Sequence, residues 1–359
     1  MNPQANQYID HALLQQLCSC SAPSSREAEL QGLLHRQFSA MGIACQGDAI
    51  GNLYAQLNPE ADMQLALVAH ADEVGLQVTS IDEHGLLRYR KVGGLRCTSL
   101  FGHRVRVLTH NGSVPGIIGC DPMQDNGTDN GILVKTSDQW IDIGADTRDE
   151  ACQMVQVGDF AVFEPGYARM GSHRIVSKAL DDRLGTYVML QAMRQLQHAG
   201  LRLGVTAISS VQEEISMRGV QACHVPIQAA IVIDVDFATD IPTTHTDMGL
   251  LQLGRGVGVN LNADSNPVMQ HHFLQAAASA GVPCQPTLSR NLSGGTDATK
   301  LQVSGNVATL NVNVPLRYMH THAEVCDERD VDYAVRSIVA FVTHLDRTEI
   351  KSFVPWLNL

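Results

Sequence analysis

Aromatic residues make up only 5% of this 359-residue chain and charged residues 17%, so any core it builds is expected to be aliphatic. No apolar run reaches the ~18 residues that span a bilayer. The first residues, MNPQANQYIDHALL, contain no apolar stretch of the kind a secretory signal carries. Basic residues are short as well: 25 Lys and Arg stand against 37 Asp and Glu, a net charge of −12 with no local basic run. A surface of that sign repels nucleic acid and anionic lipid, so neither is an expected partner. The nine cysteines, at 18, 20, 45, 97, 120, 152, 223, 284 and 326, are odd in number and scattered. A disulfide framework would be even and dense. Cys18-Ser-Cys20 is the one close pair, and it lacks partners at zinc-finger spacing. The expectation is a soluble, cytoplasmic protein in a reducing compartment.

Hydrophobic residues reach 44%, which is ample for a core. The length exceeds one ordinary core and predicts two domains, or one large domain with an insertion. Leu13, Leu14 and Leu17, then Leu30, Leu33 and Leu34, recur at helical spacing, with Ser24 or Ser25 before Glu27 and Glu29 as a helix start. QLALVAH (64–70) reads as a buried strand. From 74 to 170 the rhythm changes to short β-like runs at 78–81, 86–89, 105–108, 114–118 and 160–163, separated by turn residues. After 171 it becomes α/β: a helix over 183–199, strands at 205–211, 229–235 and 306–314, and a last helix over 330–344. The expected fold is therefore α/β. A catalytic domain, 1–70 plus 171–359, is interrupted by a small β insertion at 71–170. No reading attaches to the Asp/Asn/Gly-rich segment 119–136.

The chemistry lies at the strand ends. QLALVAH delivers His70, with Asp72 just beyond. VTAISSVQ is followed by Glu213 and Glu214. AAIVIDV carries Asp234, with Asp236 next, and NVATLNVNV leads to His320 and Glu324. KALDDR sets Asp181 and Asp182 before a helix. In α/β sheets, ligands bind outside the carboxyl ends of the strands. Five acidic and imidazole groups converging there without Lys or Arg would repel one another unless cations hold them. Two His and three carboxylates suit zinc, cobalt or manganese better than calcium. Two such ions ~3.5–4 Å apart can share a carboxylate and activate a water, and a further carboxylate can take the water's proton. The Glu213-Glu214 pair offers one ligand and one base.

Nine motifs, in order, carry a resemblance over nearly the whole chain: AHADEVG (69–75), VGG (92–94), GHRVRV (102–107), WIDIGADTRDEA (140–151), VSKALDDRLG (176–185), SVQEEISMRG (210–219), AIVIDVDFATDIP (230–242), GGTDA (294–298) and PLRYMHTHAE (315–324). In these the sequence resembles the dinuclear-metal aminopeptidases of the tetrahedral (TET) and glutamyl aminopeptidase type, once partly described as cellulases. The resemblance implies a mixed-sheet, zinc-peptidase-like catalytic domain with helices on both faces and an inserted β-barrel used in oligomerisation. It implies two metal ions per subunit. His70 and Asp234 bind one, Glu214 and His320 the other, and Asp181 bridges both through a strained peptide bond to Asp182. Glu213 is then the general base and acid, and Asp72 holds His70. It further implies short peptides as substrates and homo-oligomers, with dimers assembling into dodecamers. The chain departs from the pattern at Asp236, where relatives commonly carry Thr, and at His322, a second imidazole near His320.

Each residue also has a plainer reading. His70 would serve as a core histidine, Asp181 and Asp182 as helix caps, Glu213 and Glu214 as a solvated edge, and Gly294, Gly295, Thr296 and Asp297 as a tight turn rather than substrate-lining residues. An unpaired Asp234 inside an apolar strand is costly, which favours a metal contact. Four functions are weighed. The first is an aminopeptidase. The second is a deacylase of N-acylated small molecules, using the same amide chemistry. The third is a metal-free glycosidase, which needs two carboxylates ~5–9.5 Å apart across a sugar bond. The fourth is a non-catalytic assembly protein with structural metals, which are normally closed by four ligands.

Overall fold

A computed structural model describes residues 8–95, 100–120, 135–242, 250–288, 292–293, 295–348 and 352–357. The chain opens with helices α1 (His11–Ser19) and α2 (Ala28–Ala40), then strands β1 (Cys45–Gly47), β2 (Leu53–Leu57) and β3 (Gln64–His70). Helix α2 starts at Ala28 with Glu27 in the cap position. Ser24 does not cap it, because that hydroxyl is fully buried and taken by a distant carboxylate.

The expected small β module is a closed barrel of six strands: β4 (Gly75–Ile81), β5 (Leu87–Val92), β6 (Arg104–Thr109), β7 (Gly112–Cys120), β8 (Gln139–Asp142) and β9 (Phe160–Phe163), with helix α3 (Arg148–Met154) before β9. Alternating residues such as Leu76, Val78, Val105, Val107, Ile118 and Ile141 fill its own apolar core. Most of the unread segment 119–136, residues 121–134, lies outside the described residues.

The chain then returns through β10 (Ala168–Met170), β11 (Arg174–Ser177), α4 (Leu180–Leu196), β12 (Gly204–Ser210), α5 (Arg218–Gln221) and β13 (Ala229–Phe237). It continues through β14 (Val257–Asn260), α6 (Pro267–Ser279), β15 (Cys284–Thr287), α7 (Asp297–Gly305), β16 (Ala308–Leu316), β17 (Glu324–Asp327) and α8 (Glu328–Arg347). Eight strands form one mixed sheet in the order β1-β2-β12-β3-β13-β16-β14-β15, and β10, β11 and β17 form a separate three-stranded sheet. The centre, β12-β3-β13-β16, is parallel. Those strands are buried on both faces, which is why they read as continuous apolar runs.

On one face, Ile231, Ile233, Val312 and Val314 pack with Leu184, Val188, Phe273 and Phe341 from α4, α6 and α8. On the other, Val68, Ala230 and Val232 pack with Val220, Ala298 and Leu301 from α5 and α7. Among the described residues no helix is long and apolar enough to cross a membrane.

Candidate metal centre

Parallel register brings the strand ends level. His70 on β3 pairs with Ser210 on β12, and Asp234 on β13 pairs with Asn313 on β16. Side chains two residues apart on a strand share a face, so Asp234 and Asp236 follow Ala230 and Val232 toward the α5/α7 side. Asp181 and Asp182 lie where α4 begins irregularly, with non-helical φ/ψ and a cis peptide between them.

Two groups of donors result. One is His70, Asp181 and Asp234; the other is Asp181, Glu214 and His320, and within each group the donor atoms lie within 4.8 Å of one another. His70 Nε2 is 3.0 Å from Asp181 Oδ1, and His320 Nε2 is 3.2 Å from both Asp181 Oδ2 and Glu214 Oε1. Glu214 Oε1 is buried and makes no hydrogen bond of its own. Acceptor atoms gathered around common points, without a Lys or Arg among them, fit divalent cations of the zinc type.

Electrostatics describe the same cluster. Burial pushes Glu213 and Asp182 well above the usual carboxylate range, lifts Glu214, and raises Asp234 to about 7. Burial would also raise Asp181, but His320 and His70 beside it pull its carboxyl well below the ordinary value. Burial alone would lower His70, and the neighbouring Asp181 and Asp72 more than offset it. These are the directions of the cluster without cations; divalent ions reverse them, stabilising the carboxylates and requiring neutral imidazoles.

The surrounding residues fix this geometry. Asp182 accepts the Gly185 N–H at 2.9 Å, as a helix cap does, and the His70 N–H at 3.2 Å. Asp72 lies beside His70, whose Nδ1 is 3.1 Å from the Asp72 carbonyl and 3.5 Å from its Oδ1. The Asp72 carboxylate also accepts the backbone N–H groups of Glu213 (2.9 Å) and Glu214 (3.1 Å). Glu213 is in neither donor group and interacts with His70, Asp297 and Asp234 through space. In the VGG motif, a Cβ at Gly94 would lie 2.6 Å from His320 Nδ1. Only glycine allows that backbone to pass so close to the imidazole.

The remaining expected site residues are spread around this centre. Asp236, two residues past Asp234, accepts the Phe237 N–H at 2.7 Å, and burial lifts it to about 6. Asp297 is buried and accepts a 2.5 Å hydrogen bond from Ser210, while its Oδ1 has no partner. Thr296 caps α7 and donates to Asn311, and Gly295 has a left-handed φ of 102°. Gly294 lies outside the described residues. His322 turns to stack on His103, with ring centroids 3.5 Å apart.

Several residues at the site had no role in the sequence reading. Glu324 accepts the backbone N–H of both Asp181 (3.0 Å) and His320 (2.7 Å). Glu73 is buried against Lys178 and Arg183. Glu324 meets Asp181, and Glu73 meets Lys178 and Arg183, across more than 100 residues, so no local pattern points to these contacts. The glutamate at the end of PLRYMHTHAE was the only available signal.

Clustered His and carboxylate donors at the carboxyl edge of a mixed α/β sheet, with a spare glutamate beside them, define a candidate centre for metal-assisted hydrolysis. The chain belongs to the M42 glutamyl aminopeptidase family, whose profile matches residues 51–336. It is 32% identical to the lysyl aminopeptidase of Pyrococcus furiosus, over 83% of this chain and 86% of that protein. Its fold is similar to the TET aminopeptidase of the marine-sediment Thaumarchaeota archaeon SCGC AB-539-E09, with a TM-score of 0.89, 28% identity, and coverage of 96% of this chain and 99% of that one. It is also similar to the Pyrococcus PhTET1-12s dodecamer, with a TM-score of 0.82, 29% identity, and coverage of 92% and 98%.

Proposed function

We propose that this chain is a metal-dependent aminopeptidase that removes N-terminal residues from short peptides. The observation carrying this reading is the pair of donor triads that share Asp181, with Glu213 close by and outside both. His70, Asp181 and Asp234 would hold one divalent ion, and Asp181, Glu214 and His320 a second. Zinc or cobalt suits the donors best, and manganese is the third candidate. When bound, the ions polarise the scissile carbonyl and bring the pKa of the attacking water toward ~7.

Glu213 takes the water's proton and returns it to the departing amine. Asp72 fixes the direction of Glu213 by accepting the backbone N–H groups of Glu213 and Glu214, one on each carboxylate oxygen. Asp236, Gly295, Thr296 and Asp297 line the approach of the peptide in this reading.

Residues 1–70 with 171–359 form the catalytic domain, and 71–170 an inserted domain that serves assembly. The dodecameric state of PhTET1-12s supports a homo-oligomer here; dimers as its building unit and a cytoplasmic location are part of the same reading.

A panel of aminoacyl-coumarins, each with its α-amine free or acylated, tests the function. Turnover confined to free amines is expected. A preference for acylated substrates would replace the aminopeptidase with a deacylase.

A further inference from the structure

The loop between α1 and α2 reaches into the centre from the far end of the sequence. Ser24 is fully buried, and its hydroxyl donates to Asp72 Oδ2 at 2.6 Å. Three residues on, Glu27 Oε1 accepts the Ser25 N–H at 2.7 Å and the Gln212 N–H at 3.1 Å. The same loop is fastened to the strand end bearing Asp72: Glu73 N–H donates to the Ala22 carbonyl at 2.9 Å, and the Ala22 N–H donates to Glu73 Oε1 at 3.0 Å. Lys178 Nζ also donates to the Cys20 carbonyl at 3.0 Å.

What the loop holds is a strained segment. Gln212, Ser216 and Met217, which flank the two glutamates, have left-handed φ values of 58°, 104° and 55°. Non-glycine residues keep such values only where their surroundings impose them. Three successive N–H groups, of Gln212, Glu213 and Glu214, are received by two carboxylates, Glu27 and Asp72. Asp72 can accept both of its share only in one rotamer, and Ser24 is the side-chain hydroxyl that holds this rotamer from the other side.

We propose that Ser24 is a positioning residue for catalysis: it orients Asp72, and through Asp72 it sets the peptide that carries Glu213 and Glu214. It touches neither substrate nor the donor groups. The inference rests on the reading of Glu213 as base and Glu214 as ligand.

The test compares wild type, Ser24→Ala, Ser24→Thr and Glu213→Gln as full-length protein. Each is assayed for kcat, KM, zinc affinity by competition with a chromophoric chelator, and melting temperature. Supporting partners of metal ligands typically contribute ~10–100-fold to activity or metal affinity. Ser24→Ala is expected to lose kcat on that scale, with KM within about twofold, and to weaken the lower-affinity zinc by about tenfold. Ser24→Thr, which restores the hydroxyl, is expected to recover most of both. Ser24→Ala with wild-type kcat and wild-type zinc affinity overturns the proposal, whatever its melting temperature. Should Ser24→Thr be destabilised, the zinc affinity of Ser24→Ala decides alone. Wild-type turnover by Glu213→Gln would instead remove the general-base reading, and the zinc measurement would still decide Ser24.

Discussion

Glu73→Gln should destabilise the protein by about 3–5 kcal/mol, the usual cost of breaking a buried ion pair from one side. Glu73, Lys178 and Arg183 are 2%, 1% and 0% exposed. The Glu73 carboxylate receives Lys178 Nζ at 2.7 and 2.8 Å and Arg183 at 3.2 Å. Glutamine keeps the volume and one acceptor oxygen but removes the one carboxylate that pairs with these two cations among the described residues. Arg183 cannot lose its proton at any working pH. Lys178 can: burial already holds it below the ordinary lysine value, against the opposing pull of Glu73. Deprotonating it at pH 7 costs roughly 1.36 kcal/mol for each of about 3.4 pH units, or ~4.6 kcal/mol, so escape by that route sets the ceiling on its share. The assay is urea unfolding, read as the shift in midpoint at constant slope. The double variant Glu73→Gln/Lys178→Met removes one stranded cation and should recover at least about half the loss. A Glu73→Gln loss below ~1 kcal/mol, or no recovery in the double variant, would refute the reasoning.

Other expectations follow from the same geometry. Glu213→Gln should lower kcat by ~10²–10⁴-fold while bound zinc, measured by elemental analysis, stays at the wild-type level. Gly94→Ala should displace the His320 ring and weaken zinc binding, since its Cβ would lie 2.6 Å from Nδ1; chelator competition reads this directly. Asp330, buried and accepting the N–H groups of Gly254 and Gly256, is raised by burial to about 7. Its folded value lies above its unfolded one, so the stability it contributes is full below pH ~4 and lost as pH rises through ~7, by roughly 4 kcal/mol in all. Unfolding measured at several pH values should show a shallower slope across that window in Asp330→Asn.

The sequence announced some parts of this molecule and hid others for physical reasons. Strand β3 was legible to the residue, because a seven-residue apolar run ending in histidine has few other readings. Five of the six barrel strands were legible as short β-like runs between turn residues; β8 was not read, and closure into a barrel came only from the family likeness. The elements β14, α6, β15 and α7 were not read. Two of them are four-residue strands, and in α6 alanines occupy exposed as well as buried positions while Gln and His interrupt the apolar stripe, so neither period stands out. The donor residues could be named from strand ends and motifs, but their supports could not. Ser24 read as a helix start because Ser before Glu is the common cap pattern. Its actual partner, Asp72, is 48 residues away. Glu324, Glu73 and Lys178 are likewise defined by contacts across more than 100 residues, which leave no periodic trace.

The claim at the centre of this account is a catalytic site of two metal ions per chain. Its most direct test is a titration of zinc into chelator-stripped protein, following bound metal and hydrolysis of a free-amine aminoacyl-coumarin together. Activity should be absent from the stripped protein, appear as metal binds, and level off near two bound ions per chain, with His320→Ala holding one fewer. Full turnover in protein carrying less than about one ion per ten chains would contradict it.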